Sequence, residues 1–186
     1  MTLIRQRLKS AVAVVAILMC GTLGAQAQDT NLDDLFDALR DAEGQAAEAI
    51  ESRIWQEWSK SGSPSMDLLL SRGREALEAG NTALAIEHFT ALVDHAPEFA
   101  EAYNARATAY FQAEMYGPSI ADIERVLALH PRHFGAMSGL ALILGEIGRT
   151  SEALEVYRMV EEIYPAREGL KEQIEALERE VEGQTI

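Results

Sequence analysis

One cysteine in 186 residues, five prolines and an aromatic fraction of 6% mark what this sequence does without. A lone thiol excludes a disulfide framework and a cysteine-built zinc site. So few prolines and only five phenylalanines argue against a strand-rich sandwich. Base is scarce as well, with 16 Lys and Arg against 30 Asp and Glu and a formal charge of −14. That balance repels nucleic acid and anionic bilayers. There is no HExxH, no GxSxG and no glycine-rich phosphate loop. What is present is apolar content, 48% of the residues, too much for wholesale disorder and enough for the core of one ordinary domain.

The first 27 residues read as an address. They carry Arg5, Arg7 and Lys9 with no acid, then an apolar run from Ala11 to Met19, then Ala25-Gln26-Ala27. A positive start, a short apolar stretch and an A-x-A site predict a secretory signal peptide cut after Ala27. The run is too short to stay in a bilayer as a spanning helix. Acylation at Cys20 fits less well, because the bulky Met19 stands where such processing favours a small residue. Cleavage leaves 13 bases against 30 acids, a mature charge of −17, and no thiol, which suits the periplasm.

Pro97, Pro131 and Pro165 are spaced by 34 residues and again by 34, and other residues move with them. Gly73, Ala107 and Ala141 form one small register, Ala85, Ser119 and Ala153 another. Phe89, Ile123 and Tyr157 form a large one, Ala76, Tyr110 and Leu144 a fourth. Each unit holds two stretches at helical period, over 66–79 with 82–95, 99–113 with 118–129, and 133–147 with 150–163. Gly80-Asn81, Gly117-Pro118 and Gly148 separate the members of each pair, and the prolines close the second helices. Small residues at a helix crossing let backbones approach. Gly73, which costs about 1 kcal/mol inside a helix, makes sense only there.

A 34-residue helix–turn–helix period with these residues resembles the tetratricopeptide repeat family. Leu69, Gly73, Ala85, Phe89 and Pro97 carry the resemblance in the first unit. Tyr103, Ala107, Tyr110, Ser119, Ile123 and Pro131 carry it in the second; Met137, Ala141, Leu144, Ala153, Tyr157 and Pro165 in the third. The family's tryptophan is absent from all three and its glycine is kept in the first alone. The resemblance covers 66–165 (units 66–99, 100–133 and 134–165) and implies an all-α solenoid of three antiparallel helix pairs. It also implies a concave groove lined by the first helices, where Leu70, Arg74, Leu77, Asn104, Thr108, Phe111, Gln112, Ser138 and Leu142 are expected. One subset of the family grips a terminal carboxylate. The corresponding positions here are Leu70, Arg74, Ala105, Gly135 and Gly139, of which only Arg74 is polar, so such a clamp is not expected.

The flanks read as helices. Over 166–181, Leu170, Ile174, Leu177 and Val181 share a stripe, as a cap on the stack's last face would. Over 29–60, Leu32, Leu35, Phe36 and Leu39 lead a helical hairpin that ends with Ile54, Trp55 and Trp58, ahead of a linker at 61–65. The two tryptophans are expected to hold the hairpin onto the first repeat or, alternatively, to serve as a docking anchor for a partner. The hairpin is read either as a degenerate repeat or as a separate element. His130 and His133 flank Pro131-Arg132 at an inter-repeat turn and His95 lies near the preceding one; these and His88 read as solvated side chains. Glu75, Asp94, Asp122, Glu124, Glu155 and Glu161 read as a solubilising coat.

No catalytic, cofactor or metal residues are expected. The functional expectation is a non-catalytic module or scaffold of the bacterial cell envelope, holding a protein or peptide partner in the groove. Neither nucleic acid nor stable membrane insertion is expected. A homo-oligomer joined through the tryptophan hairpin is one alternative, a metal-dependent enzyme using the histidines another.

Overall fold

The computed structural model describes residues 23–184, with side chains from 32 to 183. Most of the expected leader, Cys20 included, lies outside the described residues. Helices account for nearly all of the rest: α1 (Leu23–Asp41), α2 (Gly44–Trp58), α3 (Pro64–Glu78), α4 (Thr82–His95) and α5 (Ala100–Gln112). Then come α6 (Tyr116–Leu129), α7 (Phe134–Glu146), α8 (Thr150–Ile163) and α9 (Leu170–Gln184). The chain is an all-α solenoid in which α3/α4, α5/α6 and α7/α8 pair, and α9 packs on α8.

The turns repeat as the helices do. Ala96, His130 and Tyr164, each preceding a proline, take φ of −135°, −133° and −140° with ψ of 68°, 86° and 75°, outside the helical region that a following proline disfavours. Between the members of each pair the chain reverses through a left-handed residue at one register: Gly80 (φ 74°), Glu114 (φ 58°) and Gly148 (φ 76°). The expected separator Gly117-Pro118 is not the turn. Both residues sit in the first turn of α6, where a proline's missing N–H has no intrahelical partner to lose. Glu114 makes the reversal.

The small and large registers interlock. A Cβ on Gly73 would lie 2.2 Å from Cε1 of Phe89, so only glycine lets that ring sit against α3. Ala85 and Ala153 are wholly buried, and Ser119, in their register, donates its hydroxyl to the Ala107 carbonyl at 2.8 Å. Arg106 and Asp122 join α5 to α6 by two parallel bonds of 2.7 and 2.8 Å. Asp122 is buried, so it belongs to the packing and not to the solubilising coat. Its carboxylate raises the Arg106 guanidinium further above its ordinary range, against the opposing effect of burial.

The hairpin departs most from expectation. Its core does not join that of the first repeat: α1 packs on α2 and on α8, and the hairpin's core residues join those of α7, α8 and α9. Trp58 stacks on His133 with ring centres 3.9 Å apart and planes 10° apart, and Trp55 meets Phe134 edge-on at 5.8 Å. Tyr164 donates to Glu51 at 3.2 Å, Arg132 lies over the Phe36 ring and pairs with Asp33, and Arg74 reaches Ser59. The α1–α2 hairpin thus runs along the edge of the solenoid and touches one inter-repeat turn after another. Trp58 is buried and Trp55 half-buried inside the fold, where both pack against the start of α7. His133, expected in solvent, is wholly buried, because the hairpin closes over its turn.

Candidate peptide-binding groove

Helices α5 and α7 lie side by side, and each offers a stripe at helical spacing to the space between them. From α5 come Asn104, Thr108, Phe111 and Gln112; from α7 come Gly135, Ser138, Gly139 and Leu142. Ser119 and Ile123 of α6 contribute to the lining, and Arg167, from the turn between α8 and α9, completes it. The cavity measures about 360 Å³. Gly139 keeps the α7 wall low, since a Cβ there would only reach ordinary contact with Ile123 at 3.6 Å. Gly135 is different. A Cβ would fall 2.6 Å from Cη2 of Trp55, which marks where the hairpin abuts the groove.

Beside that wall a buried polar cluster organises the two helix starts. Glu101, 3% exposed, accepts from Arg74 at 2.5 Å and from Asn104 at 3.1 Å. Nδ1 of His133 accepts the Ala136 N–H at 3.1 Å and so caps α7. The ring proton therefore resides on Nε2, which faces Glu101 at 3.4 Å without the alignment of a hydrogen bond. Glu101 is in effect a fixed acceptor that orients the Asn104 amide at the groove's edge.

Arg167 bonds to Ser138 Oγ, which itself donates to the Phe134 carbonyl at 2.7 Å. Nearby, Tyr164 has its hydroxyl pushed up from 10 to about 12, chiefly by burial and then by the Glu51 carboxylate beside it. Burial also raises Tyr157, and the Arg167 charge partly offsets this. Arg40, Arg74, Arg106, Arg125, Arg132, Arg149 and Arg158 are all ion-paired.

Of the nine residues the resemblance put in the groove, Asn104, Thr108, Phe111, Gln112, Ser138 and Leu142 line this one cavity. Leu70 does not: it is 2% exposed, packed with Ala102 and Ala105 in the core of the first pair. Arg74 is turned to Glu101, and Leu77 packs half-buried on the same core. Arg167 was not among the expected residues. Its register is that of Phe99 and His133, the residues just ahead of α5 and α7, neither of which lines the cavity, so the repeat pattern did not point to it. Among the described residues no cluster of three His, Cys, Asp or Glu could hold a metal ion, and no helix is long and apolar enough to cross a membrane.

The family model described as tetratricopeptide repeat matches residues 70–117 and 105–168. A TPR repeat-containing protein of Rhizobium etli is 36% identical over 153 residues, covering 82% of this chain and 75% of that one. The fold is also that of the Sgt2 TPR domain from Aspergillus fumigatus, with a TM-score of 0.62 and 24% identity over 66% of this chain and 83% of that chain. It is likewise similar to the first TPR of Spaghetti (RPAP3), bound to HSP90 peptide SRMEEVD, with a TM-score of 0.60 and 21% identity over 62% of this chain and 92% of that one. With the 34-residue period, the interlocking registers and the stacked helix pairs, these matches establish that the chain belongs to the tetratricopeptide repeat family.

Proposed function

We propose that the chain is a non-catalytic protein-interaction module of the bacterial cell envelope, which holds an extended segment of a partner across the α5–α7 groove. The observation that carries this reading is the cavity of about 360 Å³ between the two helices, with its mixed lining. An extended peptide brings unpaired backbone donors and acceptors. The Asn104 and Gln112 amides and the Thr108 hydroxyl can meet them, while Phe111 and Leu142 offer an apolar seat. Support also comes from the similar TPR domain that carries a bound peptide. The envelope part rests on the leader pattern over residues 1–27.

The test is a capture experiment from envelope extract with the wild type and an Asn104→Ala/Phe111→Ala double variant. The reading expects partners on the wild type that the double variant fails to retain. Equal recovery by the two forms removes the groove. The N-terminus of the exported protein checks the address, with Gln28 expected as the first residue.

A further inference from the structure

Arg167 stands apart from the other arginines among the described residues. Each of those is either ion-paired or, like Arg53, Arg72 and Arg179, exposed. Arg167 is half-buried, lines the groove and has Ser138 Oγ as its hydrogen-bond partner, in no ion pair among the described residues. In a chain with nearly two acids for each base, an unpaired guanidinium in a groove lined by no carboxylate is an unusual arrangement. Half-burying a cation without a counter-charge is costly, so an incoming anion gains there what water would otherwise supply.

We propose that the groove selects a partner segment bearing an acidic side chain, Asp or Glu, and that Arg167 reads it. This inference rests on the groove reading above. The acids that share a second cavity with Arg167 form no ion pair with it among the described residues. Glu48, Glu51 and Glu168 share with it a separate cavity of about 230 Å³, and Glu51 already accepts from Tyr164 and from Trp55. Ser138 fixes the guanidinium from one side and leaves its fork available for a bidentate carboxylate. The rim residues Thr108, Gln112 and Leu142 are exposed, so a strand can cross the groove and continue, and no chain end is needed. The positions that would grip a chain end in the clamp subset of the family supply no free donor here, because Leu70 is buried and Arg74 is held by Glu101.

The probes are synthetic twelve-residue peptides of Ala, Leu, Asn and Thr with one central Glu, each with a Gln twin, and each made with a free and an amidated C-terminus. Binding to the full chain is read by fluorescence polarisation. Wild type is expected to hold Glu peptides about tenfold more tightly than their Gln twins, whichever terminus they carry. Arg167→Gln brings that ratio to about one with an unchanged melting temperature, and Arg179→Gln on exposed α9 keeps it. A wild-type ratio near one, a ratio that survives Arg167→Gln, or dependence on the free terminus in place of Glu overturns the proposal. Phe111→Ala separates the two readings: peptide binding that this variant leaves intact contradicts the groove itself. Binding that it abolishes, with a ratio that Arg167→Gln leaves intact, contradicts only the acidic preference. Failure of every probe to bind wild type contradicts both.

Discussion

Trp58→Ala tests whether the N-terminal hairpin is part of the solenoid or an appendage to it. The indole is 5% exposed, stacked on His133 at 3.9 Å, with Trp55 and Phe134 ring centres each 5.1 Å away and Phe36 at 5.9 Å. Truncation leaves a cavity lined by rigid rings, and His133 beneath it is anchored as the α7 cap, so little can collapse into the space. The cost is about 3–5 kcal/mol. Against a stability of about 5–15 kcal/mol that is a large share, worth roughly 10 °C of melting temperature. Urea unfolding measures the total, and native-state amide exchange locates it. Protection should fall by about two to four orders of magnitude in α2 and also in the first turns of α7, since Trp58 seals both. A loss below about 1 kcal/mol, or faster exchange confined to α1 and α2 with α7 as protected as in wild type, would refute the hairpin's place in the solenoid.

Glu114→Gly should stabilise the protein by about 0.5–1 kcal/mol, seen as a higher melting temperature, because Glu114 alone of its register pays for φ 58° with a side chain. Asp122→Ala should cost about 3–5 kcal/mol in urea, whereas exchanging both Arg106 and Asp122 for apolar residues of similar size should cost far less, since it leaves no buried charge unpaired. Tyr164 predicts an alkaline limit. Its hydroxyl ionises near 10 when unfolded and near 12 when folded, so its contribution is intact below pH 10 and is lost as pH rises to 12. Tyr164→Phe should flatten that part of the stability–pH curve; an unchanged slope between pH 10 and 12 contradicts the assignment.

The solenoid was legible because its rules are local and repeated. A small residue at one register and a large one at another specify a crossing three times over, and Gly73 against Phe89, Ser119 against Ala107 and buried Ala153 follow from it. The groove was legible in part. Asn104, Thr108, Phe111, Gln112, Ser138 and Leu142 follow from the family resemblance, which assigns the groove to the first helices, while Leu70 fails because the resemblance does not say how closely the next helix approaches.

The hairpin's seat was not legible. An amphipathic stripe says that one face must be covered and is silent on by what. Its contacts reach 99 residues along the chain from Asp33 to Arg132 and 113 from Glu51 to Tyr164. The burial of His133 and the role of Trp58 depend on that return. Arg167 escaped for a related reason, as it belongs to a turn that only the stacking of α9 brings to the groove.

The central claim is that the α5–α7 face meets a partner chain. A photoreactive benzoylphenylalanine placed at Leu142, 47% exposed in the groove, or at Met159, 50% exposed on α8, tests it in living cells. Irradiation should yield a crosslinked protein adduct from position 142 and none from position 159. Equal adducts from both, or an adduct from 159 alone, would contradict the account.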